Sequence, residues 1–317
     1  MPDAEVVVTG VGMVTPLGAT AAESFAAWRA GRSAARRRLP ELAGTPLEAA
    51  EAAVSPAFDP AARLGSRRML KYMSEAAVLG CVAAHEAAEA AGLRTRFPPE
   101  RVGLYAGTGL AAAGVDDVRP MLQASIARDG EFSCRMLGER GLAASNPLLS
   151  FKILANMPPC LVSIIEGVKG PNYIFTPWEG QTAAALLEAW SAVASGEADG
   201  ALCGAADNAA HPATLTYLVQ SGRLAAGEFP AAAAAYLVLE RAATARRDGR
   251  RILARIAGMS LEPAGAKPAD PLAARMGRSF AAAPAVLMAL GCQAADGSMA
   301  ITGAEGETFR AELRAWP

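Results

Sequence analysis

Nucleophilic residues are scarce in this 317-residue chain, and they lack the partners that would activate them. The chain holds two histidines, His85 and His211, and five cysteines that lie far apart. Catalysis by a thiolate needs a neighbouring base, and no histidine accompanies Cys160, the best-placed cysteine, in the sequence. His85 falls inside an alanine-rich helical pattern and His211 follows a predicted strand, so we expect both to be structural. The residues alone therefore predict no thiolate chemistry.

Cofactor and metal sites are not indicated either. Gly10, Gly12 and Gly18 match a dinucleotide-binding fingerprint only loosely, since Thr15 stands where a glycine should fall. The cysteines form no CxxC pair, so the spacing predicts no zinc site. We expect no cofactor and no metal, and we expect the glycines to form tight turns after a strand.

Composition narrows the function classes further. Hydrophobic residues make up 52% of the chain, charged residues 19%, and the net charge is −1. This balance predicts a globular protein with a sizeable core, and it disfavours nucleic acid as a partner. No apolar run reaches the roughly 18–20 residues needed to span a membrane. The scattered cysteines and the absence of a signal-peptide pattern predict a reduced, cytoplasmic protein.

The hydrophobic pattern predicts strands that alternate with helices. Short apolar or β-branched runs predict strands at Val6–Thr9, Val102–Ala106, Tyr173–Phe175, Ala201–Cys203, Tyr236–Leu239, Ile252–Ile256 and Ser298–Ile301. Helical spacing predicts helices at Thr20–Ala30, Leu70–Gly92, Thr182–Ser195, Arg241–Arg247 and Phe280–Leu290. This alternation indicates an α/β fold whose mainly parallel sheet is covered by helices on both faces.

Three segments resemble the β-ketoacyl synthase family, which forms carbon–carbon bonds. They are VVVTGVGMVTPLG (Val6–Gly18), NMPPCLVSIIEGVKGPNYIFT (Asn156–Thr176) and GEADGALCGAAD (Gly196–Asp207). The resemblance implies the thiolase fold, with duplicated αβαβα layers, mixed and mainly parallel sheets, and a truncated second half. It implies an N-terminal ketosynthase-like half at residues 1–224 and a shortened C-terminal half at residues 225–317.

The resemblance also implies that the catalytic residues of the family have been replaced. Members carry a cysteine a fixed distance after a Gly-Pro-Asn motif, and counting from Gly170 places Glu179 there. Gln181 is the alternative occupant, since family variants that lack the cysteine often carry glutamine. Arg278 stands at a histidine position, and Leu261–Leu272, where a second histidine is expected, contains none. We expect no catalytic residues, and we expect Glu179 to pair with Arg278.

The function implied by the resemblance is that of a chain-length factor, inactive alone but part of a β-ketoacyl-carrier-protein synthase complex. Such subunits pair with an active ketosynthase and shape the tunnel for an acyl or polyene chain in type II polyketide, aryl-polyene or fatty-acid-type pathways. The expected partners are that ketosynthase and an acyl carrier protein. The interface is expected at Tyr173, Ile174, Phe175 and Thr176. The residues expected to line the tunnel are Tyr173, Phe175, Trp178, Glu179 and Gln181.

Two alternatives stay open at the level of sequence. The first is an enzyme, a decarboxylating ketosynthase homologue in which Glu179 or Gln181 replaces the cysteine and generates a starter unit. The loss of both family histidines disfavours it, because no evident group would stabilise an enolate. The second alternative is a homodimeric acyl-binding scaffold without a ketosynthase partner.

Overall fold

A computed structural model describes residues 5–110, 113–294 and 297–317 of the chain. Within these residues the strands are β1 (Val6–Val14), β2 (Arg37–Arg38), β3 (Glu51–Ala52), β4 (Val102–Thr108), β5 (Asn172–Phe175), β6 (Gly200–Asn208), β7 (Ala232–Arg241), β8 (Ala254–Glu262), β9 (Gly297–Thr302) and β10 (Thr308–Arg314). The α-helices are α1 (Ala21–Arg29), α2 (Pro60–Leu64), α3 (Glu75–Ala91), α4 (Leu93–Arg96), α5 (Val115–Ala124), α6 (Cys134–Met136), α7 (Leu149–Ile153), α8 (Met157–Glu166), α9 (Glu179–Ser195), α10 (Pro212–Gln220), α11 (Ala242–Arg247), α12 (Ala273–Met276) and α13 (Ala283–Ala294).

Eight strands form one sheet in the order β5-β4-β6-β7-β1-β8-β10-β9. Strand β4 pairs in parallel with both β5 and β6, and β7 pairs antiparallel with β6 and with β1. Strands β1, β4, β5 and β6 therefore run in one direction, and β7 runs against them. The thiolase-like ketosynthase fold predicted from the sequence is confirmed, with a mixed sheet.

The truncated second half continues this sheet instead of building a separate one. Its strands β8, β10 and β9 are antiparallel neighbours, and β8 joins β1 where Val7 and Val8 pair with Arg255 and Ala254. Strand β7 follows the predicted boundary between residues 224 and 225, yet it lies between β6 and β1. That boundary stays a prediction.

Helices cover both faces of the sheet. On one face α3 and α8 pack on β1, β4, β6 and β7, and on the other face α9 and α13 pack on the same strands. A Cβ atom at Gly10 or Gly12 would collide with the carbonyl oxygen of Ala87 or Ala83 in α3. The two glycines therefore lie within β1 and admit the alanine-rich helix α3. The prediction that they form tight turns after the strand was wrong, because close helix–strand packing requires them instead.

Capping residues define the ends of several helices. Thr20 caps α1 by accepting a hydrogen bond from the N–H of Glu23. Gly92 and Gly196 end α3 and α9 in left-handed conformations with φ of 63° and 83°. The sequence reading missed helix α10 and strand β10. No helix in the described part of the chain is long and apolar enough to cross a membrane.

Candidate functional site

Glu179 lies at the start of α9, immediately after the edge strand β5, and is only 2% exposed. The free N–H groups at a helix N-terminus favour a carboxylate there. Its Oε1 accepts a hydrogen bond from Nη2 of Arg278 at 2.9 Å, and its Oε2 accepts one from the backbone N–H of Ala304 at 3.1 Å. Both carboxylate oxygens are thus engaged inside the protein, and the predicted pairing with Arg278 is present.

Arg278 is 3% exposed and lies among three carboxylates. Besides Glu179, its Nη1 donates to Oε1 of Glu228 at 3.2 Å, and its Nε lies 3.6 Å from Oδ2 of Asp270. Burial alone would lower the pKa of the guanidinium, but the surrounding carboxylates, Glu179 foremost, raise that pKa above its ordinary value. Arg278 is therefore a permanent cation. It cannot accept a proton as a histidine would.

A loop after β9 closes over Glu179. Gly303 begins it, and a Cβ atom there would lie 2.8 Å from the Cβ of Glu179, so only glycine allows this approach. The N–H of Gly303 donates to the carbonyl of Glu307 at 2.9 Å, and the N–H of Gly306 donates to the carbonyl of Gly303 at 3.0 Å. These bonds fix the loop so that the next N–H, that of Ala304, points at the carboxylate.

Asp207 is a second buried carboxyl group near Glu179, at the end of β6. Its Oδ2 accepts a hydrogen bond from the N–H of Ala281 at 3.1 Å, and its Oδ1 has no partner among the described residues. Burial raises the pKa of Asp207 well above its ordinary value, and the Glu179 carboxylate raises it further. Burial therefore disfavours the charged form of Asp207, whereas Glu179 is the carboxyl group that pairs with Arg278.

Asp270 makes the stability of this cluster dependent on pH. Burial raises its pKa from 3.8 to about 6, against the opposing effects of the Leu272 N–H and of Arg278. The native state then binds the proton more tightly than the unfolded chain. The resulting stabilisation is fully present below about pH 4 and is lost as the pH rises through about 6, by about 3 kcal/mol in all.

We expect Asp270→Asn to remove this part of the pH dependence. Urea unfolding of the variant and of the wild type should give a difference in unfolding free energy that changes by about 3 kcal/mol between pH 4 and pH 7. Asp116→Asn, the same substitution at an exposed carboxylate, serves as the control and should leave the profile unchanged. A constant difference between Asp270→Asn and the wild type across this range would contradict the expectation.

Aromatic residues fill the space beside the carboxylate cluster. The rings of Trp178 and Phe280 meet edge to face with centroids 5.7 Å apart, and Tyr217 stacks on Trp178 at 6.4 Å. The guanidinium of Arg223 lies 4.4 Å from the Trp178 ring and pairs with Glu305. Trp178 and Phe280 are buried. Bulky side chains therefore pack next to the position where the family cysteine is expected.

The predicted interface residues lie on a free edge of the sheet. Strand β5 is the end strand and, within the described residues, pairs only with β4. Tyr173 is 50% exposed and stacks on Tyr105 at 5.7 Å, Thr176 is exposed, and Ile174 and Phe175 are half-buried. Gln181 is also half-buried, one turn into α9, and its Oε1 has no hydrogen-bond partner in the part of the chain that the structure describes.

Neither histidine lies in the Glu179–Arg278 cluster. His85 hydrogen-bonds through Nδ1 to Oε1 of the buried Glu166 at 2.8 Å, so it joins α3 to α8. His211 caps α10, where its Nδ1 accepts a hydrogen bond from the N–H of Ala213 at 3.2 Å. Each histidine makes a contact of the structural kind that the sequence predicts.

The cysteines are no better placed for chemistry. Burial raises the pKa of the Cys81, Cys203 and Cys292 thiols. Cys160 lies on α8 and is half-buried. No described group of three or more histidine, cysteine or carboxylate side chains could hold a metal ion.

Residues 3–236 match the family model of the β-ketoacyl synthase N-terminal domain. The chain belongs to the β-ketoacyl synthase family. Searching curated proteins returns no match. Glu179 follows β5 in the chain and therefore lies at the strand-to-helix turn of a ketosynthase fold.

Solved structures of ketosynthases share this fold. The ishigamide ketosynthase/chain length factor is 18% identical with a TM-score of 0.78. A β-ketoacyl synthase from Burkholderia phymatum STM815 is 17% identical with a TM-score of 0.77. A type II polyketide acyl-carrier protein in complex with its ketosynthase, bound to the hexaketide, is 16% identical with a TM-score of 0.77. Each match covers 99% of this chain and 100% of the other.

Several residues of this ketosynthase-family site were not predicted. Asp270 lies in Leu261–Leu272, the segment in which the sequence reading sought a histidine, and Asp207 ends an otherwise apolar strand. An acidic residue at the end of a buried strand is a signal that could have identified Asp207. No local sequence pattern could have identified Glu228 or the N–H of Ala304, because only the folded chain brings them to Arg278 and Glu179.

Proposed function

We propose that this chain is a non-catalytic ketosynthase-like subunit of the chain-length-factor type. It pairs with an active ketosynthase, shapes the tunnel for the growing acyl chain and forms no acyl-enzyme itself. The observation that carries the proposal is the buried ion pair between Glu179 and Arg278, at 2.9 Å. These residues occupy the positions where family members carry the cysteine nucleophile and a histidine.

The chemistry of the pair supports this role. A ketosynthase nucleophile must be a thiolate that takes an acyl group as a thioester, and an imidazole must assist at the extender unit. Here one oxygen of Glu179 is bound to Arg278 and the other to the N–H of Ala304. A carboxylate held in this way is neither free nor accessible for attack. Such a site can serve as part of a wall without taking part in condensation.

The distribution of exposed apolar side chains supports a protein partner. Among the residues that the structure describes, nine of the eleven exposed large hydrophobic side chains lie between Leu122 and Tyr173, the segment that leads to strand β5. Concentration of this kind marks an interaction surface. The similar structures described as a ketosynthase/chain length factor and as a ketosynthase with its acyl-carrier protein support an active ketosynthase and an acyl carrier protein as partners.

The aromatic cluster beside Glu179 supports a role in limiting chain length. Trp178 is buried between Tyr217 and Phe280, and Phe175 packs on the core beneath α9. We place the tunnel end in the complex against Trp178, with Tyr173, Phe175, Glu179 and Gln181 along its wall. The pathway, whether polyketide, aryl-polyene or fatty-acid type, and a cytoplasmic location remain part of the proposal.

The test is covalent loading of the reconstituted complex. Co-express the chain with an active ketosynthase, incubate with acyl-loaded carrier protein and measure the intact mass of both subunits. We expect the acyl adduct on the ketosynthase alone and no mass change on this chain. A stoichiometric thioester on any of its cysteines would refute the pseudo-enzyme.

The alternatives give other results in the same preparation. Release of carbon dioxide from malonyl-loaded carrier protein by the chain alone, lost in Glu179→Gln, would support the decarboxylating homologue. A stable homodimer that excludes the ketosynthase and retains acyl ligands would support the acyl-binding scaffold.

A further inference from the structure

A second polar site lies on the opposite face of the sheet from Glu179. Asn208 is the last residue of β6, next to Asp207, and successive side chains of a strand point to opposite faces. Asp207 contacts Ala281 near the Glu179 cluster, whereas Asn208 contacts Glu75 at the start of α3. The carboxyl ends of parallel strands are common places for ligands in α/β sheets. This second site is not used in the proposed function.

Two adjoining pockets meet at Asn208. One has a volume of about 290 Å³ and is mainly apolar, lined among others by Val54, Phe58, Val78 and Leu79. The other has a volume of about 360 Å³ and is lined by polar groups that include His211. Asn208, Glu75, Arg37 and Val54 line both pockets. Together they form a cleft with an apolar lobe and a polar lobe, each near the size of small-molecule sites.

A hydrogen-bond donor in the polar lobe has no partner. His211 is 7% exposed, and its Nδ1 accepts from the N–H of Ala213, so the ring proton resides on Nε2. Nε2 is buried and makes no hydrogen bond within the described residues. Burial lowers the pKa of His211, although Glu75 and the backbone of Ala113 oppose the shift. Because Nδ1 acts as an acceptor, the imidazole carries its proton on Nε2, and His211 lines the polar lobe of the cleft.

A hydrogen-bond acceptor beside it also has no partner. Asn208 is 8% exposed, and its Nδ2 donates to Oε2 of Glu75 at 2.5 Å. This bond assigns the amide orientation and leaves Oδ1 as the acceptor, which is buried without a partner among the described residues. Leaving a buried polar group unpaired costs free energy. The cleft thus contains one free donor and one free acceptor next to an apolar pocket.

Charge around the cleft disfavours a charged ligand. Two arginines and two glutamates line the polar lobe, so their charges balance and attract neither an anion nor a cation on the whole: Arg37, Arg38, Glu41 and Glu75. A carboxylate would bring no proton for Asn208 Oδ1 to accept, and an ammonium group would bring no acceptor for the His211 N–H. A neutral group that both accepts and donates a hydrogen bond satisfies both orphaned atoms.

We propose that this cleft binds an uncharged amide attached to an apolar chain or ring. The amide oxygen accepts from His211 Nε2, the amide N–H donates to Asn208 Oδ1, and the apolar part fills the lobe at Phe58. The site is separate from the ketosynthase-like positions, so binding requires neither a partner subunit nor acyl transfer.

The test compares three probes of equal chain length on the purified full chain at pH 7.5. Hexanamide, hexanoate and hexylamine are titrated by saturation-transfer NMR, which also works on self-associated protein. We expect hexanamide to bind about tenfold more tightly than either charged probe. Hexanoate leaves Asn208 Oδ1 without a hydrogen bond, and hexylamine leaves His211 Nε2 without one. Equal or tighter binding of hexanoate or hexylamine would overturn the proposal, and so would no binding of hexanamide.

Two variants locate the site. Ala57 is exposed and lines the apolar lobe, so Ala57→Trp should block hexanamide, whereas Ala43→Trp, at an exposed alanine outside the cleft, should not. His211→Asn keeps a capping side chain at α10 but lacks the Nε2 donor, and should weaken hexanamide about tenfold. Thermal unfolding checks that each variant is folded. Unchanged binding in Ala57→Trp or His211→Asn would place the probe elsewhere and overturn the assignment.

Discussion

Replacing Glu179 with alanine is expected to lower the free energy of unfolding by about 3–5 kcal/mol, the usual cost of removing one partner from a buried ion pair. The substitution leaves Arg278 inside the protein with Glu228 and Asp270 as its remaining counter-charges, and it leaves the N–H of Ala304 without an acceptor. Chemical unfolding of the purified chain or of its ketosynthase complex measures the loss.

A double-variant cycle separates the ion pair from simple loss of packing. Glu179→Leu, Arg278→Met and their combination form the cycle. The combined variant removes both charges of the pair but leaves Glu228 and Asp270 without their cation, so it should cost less than the two single variants added together. Glu262→Ala breaks the exposed pair with Arg310 and should cost little stability, because solvent screens an exposed ion pair. If Glu179→Ala costs as little as Glu262→Ala, the cluster does not hold the fold together.

In the complex, a folded Glu179→Ala variant should also give products of altered chain length.

Ile174→Pro is expected to weaken assembly with the ketosynthase while leaving the subunit folded. The carbonyl oxygen of Pro171 accepts a hydrogen bond from the N–H of Leu104 in β4. Along β5 the backbone N–H and C=O groups of every second residue therefore point toward β4. The N–H of Ile174 then points to the free edge, where a partner strand would pair. Ile174→Pro removes this donor, and edge strands tolerate proline. Leaving a partner carbonyl unpaired should weaken association up to about 100-fold.

Light scattering of the co-purified complex measures this effect. Ile174→Val keeps the N–H and the β-branched side chain, so it is the matched control and should assemble normally. Circular dichroism and thermal unfolding of Ile174→Pro should match the wild type, since the residue makes no ladder bond within its own sheet. Assembly of Ile174→Pro with unchanged affinity would exclude the edge of β5 as the interface.

The elements around the site follow from local sequence. Apolar β-branched runs at Val6 and Val102 and the glycines that end α3 and α9 carry their information in a few residues, so these strands and helix ends were predicted to within a few positions. The alanine run Ala231–Ala235 carries no comparable local signal, although most of it begins β7. Alanine has no strand preference, and its place in the centre of the sheet depends on the neighbouring strands β6 and β1.

The sequence by itself predicted which chemistry is missing. The spacing from Gly170 to Glu179, and Arg278 at the start of the family helix motif, are linear features that need no fold to be recognised. The tertiary structure decided what these residues do instead. Glu228, Asp270 and Ala304 come from three distant segments, and only the packing of the second half against α9 brings them to Arg278 and Glu179. Burial then makes the ion pair necessary, because an unpaired charge in that place would cost several kcal/mol.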